Sequence, residues 1–234
     1  MRKLFFLILF LPLLSVGQNQ TNIKDAKFAV GLCFSPEYFN TVYYTDYNGL
    51  IDKNNDTNSV SSFGFSAGIS VLYKLNDKIT IESGLSYYQT GYDVFKLAFP
   101  LGNTYPFLPI TTSYNMYKFI SLPLKMNYFL INSKLKLFVS AGIDANLLSE
   151  IKVYAIDMYE NDKIKERYYK VSKENYNTVN LQIIAGFGAD YDLNKHFKLR
   201  IEPFFRRSVN SVSNTEIRNY MYSAGANMGV YYKF

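Results

Sequence analysis

From residue 27 onward, apolar and polar residues alternate along the chain. Over 62–75, Phe63, Phe65, Ala67, Ile69, Val71, Tyr73 and Leu75 share one parity, and Ser62, Gly64, Ser66, Gly68, Ser70, Leu72 and Lys74 share the other. Over 134–151, Leu135, Leu137, Val139, Ala141, Ile143, Ala145 and Leu147 oppose Lys136, Ser140, Gly142, Asp144 and Asn146. Over 178–193, Leu181, Ile183, Ala185, Phe187, Ala189 and Tyr191 oppose Gln182, Gly186, Gly188, Asp190 and Asp192. Over 196–208, Phe197, Leu199, Ile201, Pro203 and Phe205 oppose Lys198, Arg200, Glu202, Phe204 and Arg206. Successive strand side chains point to opposite faces, so each stretch reads as a strand with one apolar face.

Eight strands are predicted, over 27–44, 62–75, 78–92, 114–131, 134–151, 178–193, 196–208 and 217–234. Asn76-Asp77, Asn132-Ser133 and Asn194-Lys195 make tight turns, because Asn and Asp tolerate the positive φ of two-residue hairpins. The other connections, 45–61, 93–113, 152–177 and the shorter 209–216, are long. Glu160-Asn161-Asp162 marks the centre of a hairpin extending strands five and six. Short turns on one side and long loops on the other are the pattern of outer-membrane barrels, with the short turns periplasmic.

Alternation alone fits two architectures. A soluble up-and-down barrel holds its apolar face inside, and a membrane barrel turns it outward. The polar face decides. It is rich in Gly and Ser, which suit a crowded lumen, and it carries charges near mid-strand. The apolar face carries none across these spans, as lipid requires.

The two ends of the chain agree. Arg2 and Lys3, the apolar run Leu4–Leu14, and small residues Ser15 and Gly17 before Gln18 form an export signal. The expected domains are a cleaved signal peptide, 1–17, and an outer-membrane barrel domain, 18–234. At the other end Asn227, Gly229, Tyr232 and Phe234 match the spacing of a C-terminal assembly signal, with Met228, Val230, Tyr232 and Phe234 on one face. The expected fold is all-β: an eight-stranded antiparallel up-and-down transmembrane β-barrel.

Composition narrows this further. Tyr (22) and Phe (19) are abundant and Trp is absent, which favours strands. Without Arg2 and Lys3 the net charge of +6 falls to +4, scattered rather than patched, so nucleic acid is not an expected partner. The single cysteine, Cys33, forms no intrachain disulfide.

The chain resembles the PorT-like family of small outer-membrane β-barrel domains and, more distantly, the OmpX-like eight-stranded barrels. The signal ending V-G-Q, the segment S-A-G-I-S-V-L-Y-K-L, the fourth strand Y-K-F-I-S-L-P-L-K-M-N-Y-F and the final G-V-Y-Y-K-F carry the likeness. It implies an outer-membrane location. It implies little about activity, because function lives in sites grafted on folds. Some members of that family are linked to secretion machinery or gliding.

Catalytic and metal chemistry is thinly represented. The one histidine, His196, opens strand seven beside a short turn and reads as a solvated turn residue. Cys33, with Ala29, Gly31 and Ser35 on a small inward face, reads as a buried filler. The loop 52–58 sets oxygen side chains at alternate positions like a calcium loop, but Thr57 and Phe63 replace the required Gly and Glu. No catalytic residue, metal or cofactor is expected. The remaining constellation is the inward charges Glu82, Lys125, Asp144, Asp190, Arg200, Glu202 and Arg206. Eight strands enclose only enough room for side chains, so these charges are expected to pair as a luminal plug.

Three functions stay open on these residues. The first is a barrel without enzymatic activity acting through its extracellular loops, in structural, adhesive or partner-docking roles. Its loop tyrosines include Tyr43, Tyr44, Tyr47, Tyr105, Tyr154, Tyr159, Tyr168, Tyr169 and Tyr176. The second is an accessory component of a secretion or gliding apparatus. The third is a narrow pore or transporter for small solutes. The partners expected are outer-membrane lipid and lipopolysaccharide, the barrel-assembly machinery and an envelope or secretion protein.

Overall fold

The computed structural model describes residues 26–45, 62–91, 93–97, 110–158 and 164–234. The expected signal peptide 1–17 and the loop 52–58 lie outside these residues. The described chain forms ten strands: β1 (Phe28–Thr45), β2 (Ser62–Lys74), β3 (Ile79–Gln89), β4 (Asp93–Leu97), β5 (Ile110–Asn132), β6 (Leu135–Met158), β7 (Ile164–Lys170), β8 (Val179–Asp192), β9 (Phe197–Ser208) and β10 (Ile217–Lys233). Eight of them pair in the circular order β1, β2, β3, β5, β6, β8, β9, β10 and back to β1, every pair antiparallel.

The eight expected strands are present, and two short strands, β4 and β7, add to them. β4 lies in a stretch read as a loop and pairs with the far end of β5, and β7, on the flank of the expected hairpin, pairs with the far end of β6. β5 and β6 are themselves longer than predicted, because they go on pairing as far as Ile110↔Met158. The flanks of the expected hairpin pair from Lys152↔Lys170 to Met158↔Ile164, and its centre, 160–162, lies outside the described residues.

Side-chain amides shape the tight turns. Asn76 Oδ1 accepts from the amides of Lys78 (2.8 Å) and Ile79 (2.9 Å), and Asn194 Oδ1 does the same for His196 and Phe197 (2.8 Å each). These contacts pre-form the chain reversal.

Burial is inverted relative to a water-soluble sheet protein. Leu32 is 71% exposed and Phe187 65% on the outside, while Asn127 and Glu202 are fully buried inside. The outward aromatics form two levels. Phe28 packs on Tyr73 (4.8 Å between ring centroids) near the short turns, and Tyr38 packs on Phe63 (5.3 Å) near the long loops. Within each strand the two levels are ten residues apart, as are Tyr222 and Tyr232. At about 3.4 Å per residue and a tilt of about 40°, ten residues rise roughly 26 Å, the height of a lipid-facing band with aromatic girdles.

One inserted residue reshapes the far end of the interior. Phe119 pairs with Leu148, but Lys118 pairs with Glu150, so Ser149 has no partner across the ladder. A bulge of this kind reverses the parity beyond it. Leu148 points inward below the bulge, and Ile151 and Val153 point inward above it. They join Phe39, Tyr88, Tyr117, Phe119, Val212 and Met221, and all but Val153 belong to one apolar cluster at the long-loop end.

Candidate functional site

Below that cluster the interior is ionic. β3 contributes Glu82, β5 Lys125, β6 Asp144, β8 Asp190, and β9 Arg200, Glu202 and Arg206, each on its strand's inward parity and buried. The structure brings all seven into ion pairs. Arg200 reaches Asp190 at 2.6 Å and Glu82 at 2.5 Å. Lys125 bridges Glu82 (3.0 Å) and Glu202 (2.7 Å) across the lumen. Arg206 bonds Asp144 at 3.0 Å.

Two further members lie outside the expected charge set. Glu37 on β1 accepts from Arg206 at 2.6 Å, and Lys198 on β9 bonds Asp190 at 2.8 Å. Parity contained the signal for both. Glu37 continues the inward series Ala29, Gly31, Cys33, Ser35, and Lys198 shares the parity of Arg200.

Hydroxyls and amides fill the remaining acceptor sites. Ser66 and Ser223 donate to Glu37, Ser121 to Asp144, Ser140 and Asn227 to Glu202, and Ser70 and Asn127 to Glu82. Buried charge is tolerated only when paired and hydrogen-bonded in this way. Aromatic faces cover the guanidiniums: Arg200 lies 4.3 Å from the Phe138 ring centre and Arg206 4.6 Å from that of Tyr88. A small internal cavity of about 60 Å³ remains beside Glu82, Lys125 and Arg206.

The short-turn mouth is a wider cup of about 1170 Å³. Lys27, Lys74, Lys134, Lys136, Lys195 and Lys233 line it. Leu72, Ala29 and the buried Tyr231 pack together at its inner end. Gly229 and Gly31 make room for that tyrosine, since a Cβ at either would stand 2.6 Å from its ring. Gly229, singled out as part of an assembly signal, therefore also has a packing reason. Cys33 is half-buried, with its sulfur 3.0 Å from the Tyr231 hydroxyl. His196 is exposed and stacks on Tyr232 at 5.6 Å. Among the described residues, no group of three or more His, Cys, Asp or Glu is arranged to hold a metal.

The other assembly-signal residues divide by face. Asn227 points inward to Ser35 and Glu202, while Tyr232 points outward against Phe197 (5.3 Å) and Phe234 (5.1 Å). Deleting Phe234 removes an aromatic at the lipid boundary and the backbone bond from its amide to Phe28 O at 3.1 Å. Lys233 contributes a part-exposed ion pair to Asp192 at 2.7 Å, a type of contact worth about 0–1 kcal/mol. The folded, faster-migrating band on unboiled gels is expected to fall more for the Phe234 deletion than for Lys233→Ser. Equal losses would remove Phe234 from any assembly role.

No curated protein matches the chain. Among solved structures, Neisserial surface protein A aligns over 87% of this chain and 97% of its own at 14% identity and a TM-score of 0.42. OprG from Pseudomonas aeruginosa aligns over 91% and 99% at 12% identity and a TM-score of 0.43. The outer membrane protease OmpT from Escherichia coli aligns over 93% and 99% at 10% identity and a TM-score of 0.43. The family model for the outer membrane protein beta-barrel domain matches residues 17–214, so this chain belongs to that family and resides in the outer membrane.

Proposed function

We propose that the protein is an eight-stranded up-and-down transmembrane barrel, exported by a signal at 1–17, that acts without enzymatic activity through its long-loop end. Its role there is structural, adhesive or partner-docking. The filled interior carries this reading. Paired charges occupy the lumen, and an apolar cluster containing Tyr88, Tyr117 and Phe119 lies above them. His196 stacks on Tyr232 and the Cys33 sulfur meets the Tyr231 hydroxyl, so among the described residues the histidine and the thiol are not partnered with each other. Work then falls to surfaces beyond the band, where Tyr44 and Tyr168 are more than half exposed. Their partners would be an envelope protein and the surrounding lipopolysaccharide, after insertion by the barrel-assembly machinery.

Planar-bilayer recording tests the filled lumen. The folded protein is expected to give no steady current. A steady single-channel current that changes with Arg206→Met would replace this reading with the narrow pore.

A secretion or gliding accessory role, as the PorT-like likeness suggests, is the second reading. The extended ends of β5 and β6 with β7 favour it, because they raise a row of tyrosines in ring contact beyond the band: Tyr114 tilted on Tyr154 at 5.7 Å and Tyr154 stacked on Tyr168 at 4.4 Å. Pull-down from native membranes with wild type and Tyr168→Ser separates the two. Loss of a secretion-apparatus component from the variant would favour the second.

A further inference from the structure

The outward face of β5 descends from Tyr114 through Met116, Lys118, Ile120, Leu122, Leu124 and Met126 to Tyr128. Tyr128 occupies the short-turn aromatic level, and the position ten residues above it is Lys118. That separation is roughly 26 Å, the height of the lipid-facing band. Lys118 therefore stands at the upper edge of the hydrocarbon, where headgroup phosphates begin.

Two more lysines reach the same point. The Ser149 bulge turns Glu150 and Lys152 outward, and β7 places Lys170 opposite Lys152. Glu150 is the shared carboxylate. Lys170 lies 2.6 Å from it, Lys118 3.0 Å and Lys152 3.7 Å. Three cations on one anion leave an excess charge of two. Glu166, the next acid on this face, lies farther from the band, opposite Ile156 and beyond Tyr168. Directly beneath the lysines, Ile120 pairs with Leu147 and Leu124 with Ile143, an apolar wall suited to acyl chains.

We propose that this outward face of β5, β6 and β7 binds the phosphate of an anionic lipid in the leaflet on the long-loop side. The lysines meet the phosphate, the apolar wall takes the chains, and the tyrosine row covers the layer above. The proposal rests on the transmembrane reading of the barrel, and the test keeps the two apart.

Full-length protein folded in neutral detergent is mixed with lipid A bearing two phosphates, with the same lipid dephosphorylated, or with inorganic phosphate. Retained lipid is read by native mass spectrometry. The unboiled-gel band reports independently whether the barrel has formed. Each basic residue near an anionic surface contributes about fivefold in binding, so K118Q/K152Q/K170Q is expected to lower retention of phosphorylated lipid A by at least about tenfold. K27Q/K134Q/K195Q makes the same charge change at the opposite rim and is expected to leave retention unchanged. Glu150→Gln frees the lysines and is expected to raise it. Inorganic phosphate at equal concentration is expected not to displace the lipid.

Equal retention of dephosphorylated lipid, equal loss in both triple variants, displacement by free phosphate, or weaker binding in Glu150→Gln would each overturn the site. If the Lys118 triple variant does not fold, Glu150→Gln decides. Loss of the folded band in wild type would count against the barrel reading instead.

Discussion

Arg206→Met is expected to lower the unfolding free energy by about 3–5 kcal/mol, the cost of leaving buried charge without its partner. Arg206 is the only cation bonded to both Glu37 and Asp144 among the described contacts, and its side chain is 5% exposed. Its removal leaves both carboxylates with serine hydroxyls alone. Arg200 provides the contrast. It is fully buried and bonds two carboxylates, but Glu82 keeps Lys125 and Asp190 keeps Lys198 when it goes. Arg200→Met is therefore expected to cost less than Arg206→Met, although it looks equally central. The combined variant Glu37→Gln, Asp144→Asn, Arg206→Met removes the charges together and is expected to recover most of the loss. Urea unfolding of the protein refolded into lipid vesicles measures all three. Equal costs for the two single arginine variants would mean that water or protonation, rather than a specific partner, satisfies Glu37 and Asp144.

Much of the fold was legible because lipid enforces a simple rule. A lipid-facing strand must be apolar at every second residue over its whole crossing, so the faces of 62–75, 134–147 and 196–206 could be read from parity alone. The inward charges follow from the same parity, and so does Glu37, because Pro36 does not shift the phase of β1. Pairing choice was not legible. That Lys125 bridges Glu82 and Glu202, or that Arg206 spans Glu37 and Asp144, depends on the stagger between strands distant in sequence.

The bulge at Ser149 was not legible either. One extra residue has no compositional mark, yet it turns Glu150 outward and Ile151 inward. The turn of Ile151 into the apolar cluster and the lysine cluster outside it are two consequences of that single insertion. β7 is the arm of the expected hairpin, whereas β4 escaped, and both share one physical cause. They are short, and they are strands only because longer neighbours offer them unpaired edges.

The second large effect separates the outer face from the interior. Ile201→Arg is expected to destabilise the folded barrel by about 2–4 kcal/mol, the penalty for a basic side chain near mid-bilayer. Ile201 is 52% exposed on the outward face and pairs with Met228 and Ala189. It lies four residues above Phe197, which packs against Tyr232 at the short-turn aromatic level. At about 2.6 Å of vertical rise per residue, that places it roughly 10 Å into the band. Val179 is also outward, 40% exposed, but opens β8 at the long-loop side. Val179→Arg at that interface is expected to cost only about 0–1 kcal/mol, because the guanidinium reaches water and headgroups. Arg200, beside Ile201 in sequence, points inward, so its replacement should follow the ion-pair logic and not depth. Urea titration in vesicles of fixed thickness measures the pair. In thinner bilayers the Ile201→Arg cost should fall, because the charge then lies closer to water. Equal costs at Ile201 and Val179, or no dependence on bilayer thickness, would take Ile201 off the lipid-facing surface and reverse the assignment of faces.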